Sequence, residues 1–160
     1  LPVTNYEISL EARRTKGTDF FCALTFPVND IKTCCTFVAG GWGGALAGIS
    51  SLDGMDAANN DTSTFHKFEL NQWYTFRIQV TPESLKVWMD GKSIVDVELA
   101  DRRVGMRWGD IEYCVPFGLA TYVTAGEYRN FKIGRIDGQP VELKKQDAAP
   151  ADAKDGDAAK

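Results

Sequence analysis

The chain has 160 residues, of which 44% are hydrophobic, with 18 basic and 22 acidic side chains and a formal net charge of −4. That length and apolar fraction suit one domain with a real core and exclude a disordered chain. The acidic balance excludes nucleic acid as the main partner, because phosphate binding needs a basic excess on one face. No apolar run approaches the ~20 residues of a membrane-spanning helix. The chain opens at Leu1 with no signal peptide in view, which reads as trimming or processing.

Tyr6 to Arg13 alternates strictly, with Tyr6, Ile8, Leu10 and Ala12 on one face and Glu7, Ser9, Glu11 and Arg13 on the other. A period of two marks a half-buried strand. Lys16 to Asp19 reads as a turn. Phe20 to Phe26 is a continuous apolar run and fits a strand buried on both faces, ended by Pro27 and followed by a loop over Val28 to Lys32. Thr33 to Ala39 is the next strand. Glycines at 40, 41, 43 and 44 surround Trp42, which implies backbone that bends sharply or lies close to something. Leu46 to Leu52 is a shorter strand, Asp53 to Ser63 a long polar loop, and Phe65 to Leu70 a lead-in.

Trp73 to Leu99 reads as a three-stranded meander. A two-residue turn at Pro82-Glu83 pairs Val80 with Leu85, Ile78 with Val87 and Phe76 with Met89 on one face. The same register sets Arg77 opposite Trp88 on the other face, within reach of a cation–π contact. At the second turn a two-residue Asp90-Gly91 loop throws Val95 and Val97 onto the polar face. The expected connection is therefore a three-residue loop, Asp90 to Lys92, with Gly91 left-handed. Phe76, Ile78, Val80, Leu85, Val87, Met89, Val95 and Val97 are expected in one core.

Ala100 to Asp110 is basic and irregular, Cys114 to Val123 contains a further strand, and Glu127 to Ile136 is the last. The expected domain runs over 1–145. From Gln146 to Lys160 the chain lacks aromatics and reads as a disordered Ala/Asp/Lys tail. Eight to ten short strands without an amphipathic helix make an all-β fold, a jelly-roll β-sandwich of two antiparallel sheets.

Trp42, Trp88 and Trp108 are candidates for stacking on a sugar, whereas Trp73 is expected in the core. Asp53, Asp56, Asn59 and Asp61 supply oxygens for a Ca²⁺ in the polar loop, alongside the plainer reading of a solvated acidic loop. His66 is the only histidine and has no partner motif for a triad. Glu7 and Glu11 lie ~13 Å apart along one strand at ~3.3 Å per residue, too far for a standard glycosidase pair. Cys22, Cys34, Cys35 and Cys114 show no zinc spacing. They read as buried small hydrophobes or as a source of one disulfide, Cys22 to Cys35.

NYEISLEARR, the QWYTFRIQV…LKVWMDGK meander and the closing YRNFKI together resemble the 3-keto-disaccharide hydrolase domain family over about residues 5–136. That family is related to family 16 glycoside hydrolases. The resemblance implies a concanavalin A-like lectin/glucanase jelly roll in bacterial secreted proteins, hence a periplasmic or secreted setting. It implies roles for Arg13 and for the Arg129-Asn130 pair. The family's second strand usually reads Asn-Ser-Gly-x-x-x-Arg where this chain has Asp19 to Thr25, and its Glu/Gln/Asp strand is here GISSLD, keeping Asp53. The E-x-D-x-x-E motif of family 16 enzymes is absent.

The expected function is extracytoplasmic carbohydrate binding, favoured over cleavage. Hydrolysis of (3-keto) glycosides and docking onto a partner or parent protein are the alternatives. The expected substrate-binding set is Arg13, Trp42, Asp53, Arg77, Trp88, Trp108 and Arg129, with Arg77 and Trp88 at its centre.

Overall fold

The computed structural model describes residues 1–136. The expected domain end at 145 and the expected tail lie outside the described residues. Among the described residues there are ten strands: β1 (Tyr6–Gly17), β2 (Cys22–Asp30), β3 (Thr33–Gly40), β4 (Leu46–Ser50), β5 (Thr64–Phe65), β6 (Tyr74–Val80), β7 (Ser84–Met89), β8 (Lys92–Glu98), β9 (Gly118–Ala120) and β10 (Thr124–Arg135). They form two five-stranded sheets, ordered β10-β1-β6-β7-β8 and β5-β4-β3-β2-β9. Every ladder is antiparallel. The fold is an all-β, two-sheet jelly-roll sandwich.

The core lies between the sheets. From the first sheet come Tyr6, Ile8, Leu10, Ala12, Tyr74, Phe76, Ile78 and Val80, with Leu85, Val87, Met89, Val95 and Val97 from β7 and β8. Cys22, Leu24, Phe26, Cys35, Phe37, Ala39, Ala47 and Ile49 answer them from the second. All eight core positions expected in the meander are there. Tyr6 joins the two sheets directly: its hydroxyl donates to the Pro27 carbonyl at 2.5 Å. Burial pushes that hydroxyl's pKa up, so it remains a proton donor.

The first meander turn gives the expected pairs, Val80 with Leu85, Ile78 with Val87, Arg77 with Trp88 and Phe76 with Met89. The second differs. Met89 pairs with Lys92, so the loop is the two-residue Asp90-Gly91, with φ of 50° and 80° as a type I′ hairpin requires. A bulge restores the facing: Trp88 pairs with Ser93 and Val87 with Val95, leaving Ile94 as the extra residue. The sequence chose the right face for Val95 and Val97 by the wrong device.

Three other expectations are corrected. Pro27 does not end β2, which continues to Asp30. Proline is tolerated there because β9 pairs only with Ala23 to Thr25, and on the β3 side Pro27 is the last regular pair, opposite Cys34, before a register shift. Trp73 is not in the core; it precedes β6 out of phase with Tyr74, Phe76 and Ile78 and lies half-buried on the outer face. Cys22 and Cys35 are free thiols. Cys22 pairs with Ala39 and Cys35 with Phe26. The two thiols are therefore offset by four residues along the ladder, ~13 Å at ~3.3 Å per residue, beyond disulfide reach.

Candidate functional site

The two outer faces of the sandwich differ in kind. On the β10-β1-β6-β7-β8 sheet the polar side chains neutralise one another. Arg13 pairs with Glu127 at 2.6 Å, Arg129 with Glu11 at 2.6 Å, Arg77 with Glu7 at 2.9 Å and Lys86 with Asp96 at 3.1 Å. Asn130 Nδ2 adds a bond to Glu11, and with Arg129 it holds that carboxyl below the usual range. Trp73 lies under two guanidinium groups, Arg13 at 4.7 Å and Arg129 at 4.0 Å from the ring centroid. Trp88 is covered by Arg77 at 3.7 Å. Arg13, Arg77, Trp88 and Arg129 therefore sit together on this face, with their charges and rings engaged by each other.

The other sheet's outer face carries a cleft of ≈ 580 Å³. Its floor is small and hydroxylated because β2, β3 and β4 turn Ala23, Thr36, Val38 and Ser50 outward, with the fully buried Thr25 on the same side of β2 as Ala23. Ala23 and Ser50 fall on the two strands where the resemblance leads one to expect Asn-Ser-Gly-x-x-x-Arg and Glu/Gln/Asp; Thr36 and Val38 lie on β3 between them. Thr25 and Thr36 share a hydrogen bond at 2.8 Å.

The walls are aromatic. At one end Phe20 and Tyr122 stack with centroids 5.9 Å apart. Near the β3–β4 connection stands Trp42, 39% exposed, in a left-handed turn with φ of 50°. Gly40 makes this turn possible: its φ is +81°, and a Cβ there would meet the Phe21 ring at 2.8 Å. The Asp19 carboxylate anchors the turn, accepting the Gly43 and Phe20 N–H groups.

The remaining wall is the segment between β8 and the 3-10 helix at Asp110–Cys114. Arg107 lies 5.6 Å from the Trp42 ring and makes no ion pair among the described residues. Trp108 lines the cleft and is 90% exposed. The Asp110 carboxylate also faces the cleft and has no hydrogen-bond or ion-pair partner among the described residues.

That segment is pinned at its start. Gly105 and Ser51 exchange backbone bonds of 2.8 and 3.1 Å, and Leu52 bridges Val104. Arg102 donates to Asp53 at 2.6 Å and to both Asp61 oxygens at 2.8 and 3.0 Å, while the Arg103 N–H donates to Asp53 at 2.8 Å. The Arg103 N–H and Arg102 hold the Asp53 carboxyl below its usual range; Arg102 does the same to Asp61. Asp53 thus braces the segment that forms the cleft wall. Asp56 accepts from Ala58 and Asn59 within its own loop. Among the oxygens expected to hold calcium, those of Asp53 and Asp61 converge on the Arg102 guanidinium, and no group of three or more metal-ligating side chains occurs among the described residues.

Of the expected site residues, Trp42 and Trp108 share the cleft, Asp53 braces it, and Arg13, Arg77, Trp88 and Arg129 lie on the opposite outer face. Sequence reasoning missed Phe20, Ser50, Arg107, Asp110 and Tyr122. Alternation could not find Ser50, since β4 is buried at every position and hides which side faces the cleft.

No curated protein matches the sequence. Among solved structures, carbohydrate-binding module CBM66 from Bacillus subtilis is 13% identical with a TM-score of 0.46, covering 81% of this chain and 74% of that one. Alginate lyase A1-II′, a member of polysaccharide lyase family 7, is 10% identical with a TM-score of 0.47, covering 81% of this chain and 61% of that one. The model of the 3-keto-alpha-glucoside-1,2-lyase-like domain matches residues 1–134, nearly all of the sandwich, and the chain belongs to that family.

Proposed function

We propose that the cleft on the β5-β4-β3-β2-β9 sheet binds carbohydrate outside the cytoplasm, and that binding rather than cleavage is its main task. One observation carries this reading. Four aromatic side chains, Phe20, Trp42, Trp108 and Tyr122, ring a floor of small and hydroxylated residues. Flat aromatic faces cover the apolar C–H face of a sugar, while hydroxyls and Arg107 serve its polar edge. The volume of ≈ 580 Å³ falls in the range of small-ligand sites. Asp19 is spent on the Trp42 turn, so among the described residues the cleft offers no close pair of free carboxylates for standard glycoside hydrolysis.

A second reading follows from Asp110. The family description names a 1,2-lyase acting on a 3-keto-α-glucoside. Such an elimination needs a base to take the C2 proton, which the neighbouring ketone acidifies, while the glycosidic oxygen leaves C1 with the bonding electrons. Asp110 is the cleft carboxylate free to serve as that base.

Calorimetric titration with methyl α-glucoside, trehalose, maltose and their 3-keto counterparts tests both readings. Binding without turnover supports the module. Turnover abolished by Asp110→Asn supports the lyase. Trp42→Ala should weaken binding by about 1–3 kcal/mol, the scale of base stacking on aromatics, while Trp88→Ala leaves it unchanged. The reverse pattern would move the site to the meander face. No binding by wild type at millimolar concentrations would sink the carbohydrate reading and leave docking onto a protein partner.

A further inference from the structure

The buried hydroxyls on the cleft floor are not alike. Thr25 and Thr36, 0% and 2% exposed, bond each other, and Thr36 also reaches the Met106 sulfur at 3.8 Å. On the far side of β4, Asn60 and Thr62 are equally well served, through Ile49, Met55 and each other. Ser50 is the exception. It pairs with Thr36 across the β3–β4 ladder, lines the cleft, is 3% exposed, and its Oγ has no hydrogen-bond partner among the described residues. A buried hydroxyl without a partner is costly, and native folds leave few. Nothing in the sandwich requires a hydroxyl here: alanine fills the equivalent outward positions at Ala23 and Ala120.

We infer that Ser50 is the specificity-determining hydroxyl of the cleft, unpartnered in the free protein because its partner is one hydroxyl of the bound sugar. This rests on the carbohydrate reading and deepens it. The stacking walls accept any sugar with an apolar face. A site built to bond one hydroxyl rejects the analogue that lacks it, because its own polar group then remains buried and unpaired. Ser50 both donates and accepts, as a sugar hydroxyl does. Thr36, held by Thr25, fixes the neighbouring floor and cannot turn to satisfy Ser50 without breaking its own bond.

The test is a double-difference titration with methyl α-glucoside and its four monodeoxy derivatives. Wild type should bind one derivative about 10-fold or more weaker than the parent. Ser50→Ala should bind the parent weaker by about the same factor and no longer distinguish that derivative from it. Because the change removes an unsatisfied group, the melting temperature of Ser50→Ala should stay level or rise. If the variant instead melts lower and binds the parent as wild type does, the hydroxyl serves the fold, and the assignment is overturned. Unchanged melting with unchanged affinity overturns it equally, as does a wild type indifferent to every deoxy position. Those results leave the carbohydrate reading standing; failure of wild type to bind any sugar in the panel removes both.

Discussion

Tyr6 is a point where one side chain ties the two layers. It is 0% exposed, and its hydroxyl ends on the carbonyl of a proline that lies in the other sheet. Tyr6→Phe keeps the ring and strands that carbonyl. The expected loss is about 1–3 kcal/mol, the cost of leaving a buried acceptor unpaired, read from chemical denaturation; an unchanged midpoint would show that the carbonyl finds another donor. Trp73 teaches a related lesson about reading single residues. Its place at the head of the meander strand suggested the core, but the Tyr74, Phe76, Ile78, Val80 phase already placed it outside. The parity signal was in the sequence and outweighs nearness to a buried strand. Arg77 against Trp88, by contrast, followed from register alone and is found at 3.7 Å.

The element that shapes the cleft is the irregular segment after β8, and its attachment is electrostatic. Asp53 and Asp61 both bind Arg102 and both have lowered carboxyl pKa values. A carboxylate with a depressed folded pKa binds fewer protons than its unfolded form, so its stabilisation is fully present above the ordinary value of about 4 and lost as pH falls through the folded value. Sugar affinity should therefore hold from neutral pH down to about 5 and fall below about 4, as the wall carrying Arg107 and Trp108 detaches. Asp53→Asn should show weakened binding already at pH 7. A pH profile identical to that of wild type would separate this network from the cleft. In sequence the segment reads only as basic and irregular, because its order comes from partners about 40 to 50 residues away, a separation that local patterning does not encode. The β7–β8 hairpin failed for a milder reason: a bulge and a longer loop give the same facing, and alternation cannot tell them apart.

Across the whole molecule, strands buried on one face were legible and the site was not. β1, β6, β7 and β8 alternate cleanly because their outer face is solvated and charged. β2, β3 and β4 are buried through almost their whole length, since a cleft and its loops cover their outer face. The uninterrupted apolar run that hid the facing of FFCALTF is itself the trace of that cover. The Arg and Trp residues that stood out in sequence mostly belong to the self-neutralised face, where pairing is what allows so many charges on one surface.

The cysteines give the sandwich a chemical clock. Cys22 and Cys35 are 0% exposed, and burial pushes the Cys22 thiol up to about 12 and the Cys35 thiol higher still. Only thiolate reacts with an alkylating or thiol-exchange reagent, so in the closed sandwich neither can. Cys114, half-buried in the short helix beside the cleft, should label first. Labelling of the core pair then requires the sheets to part, and its rate at low reagent reads the equilibrium for that opening directly. Mass spectrometry of a timed alkylation should show the Cys114 adduct first and a late, concerted pair at Cys22 and Cys35, with Cys34, buried against the Ile31 and Pro116 carbonyls, as a separate event; early modification at Cys22 or Cys35 would mean that the sheets separate locally well before the domain unfolds.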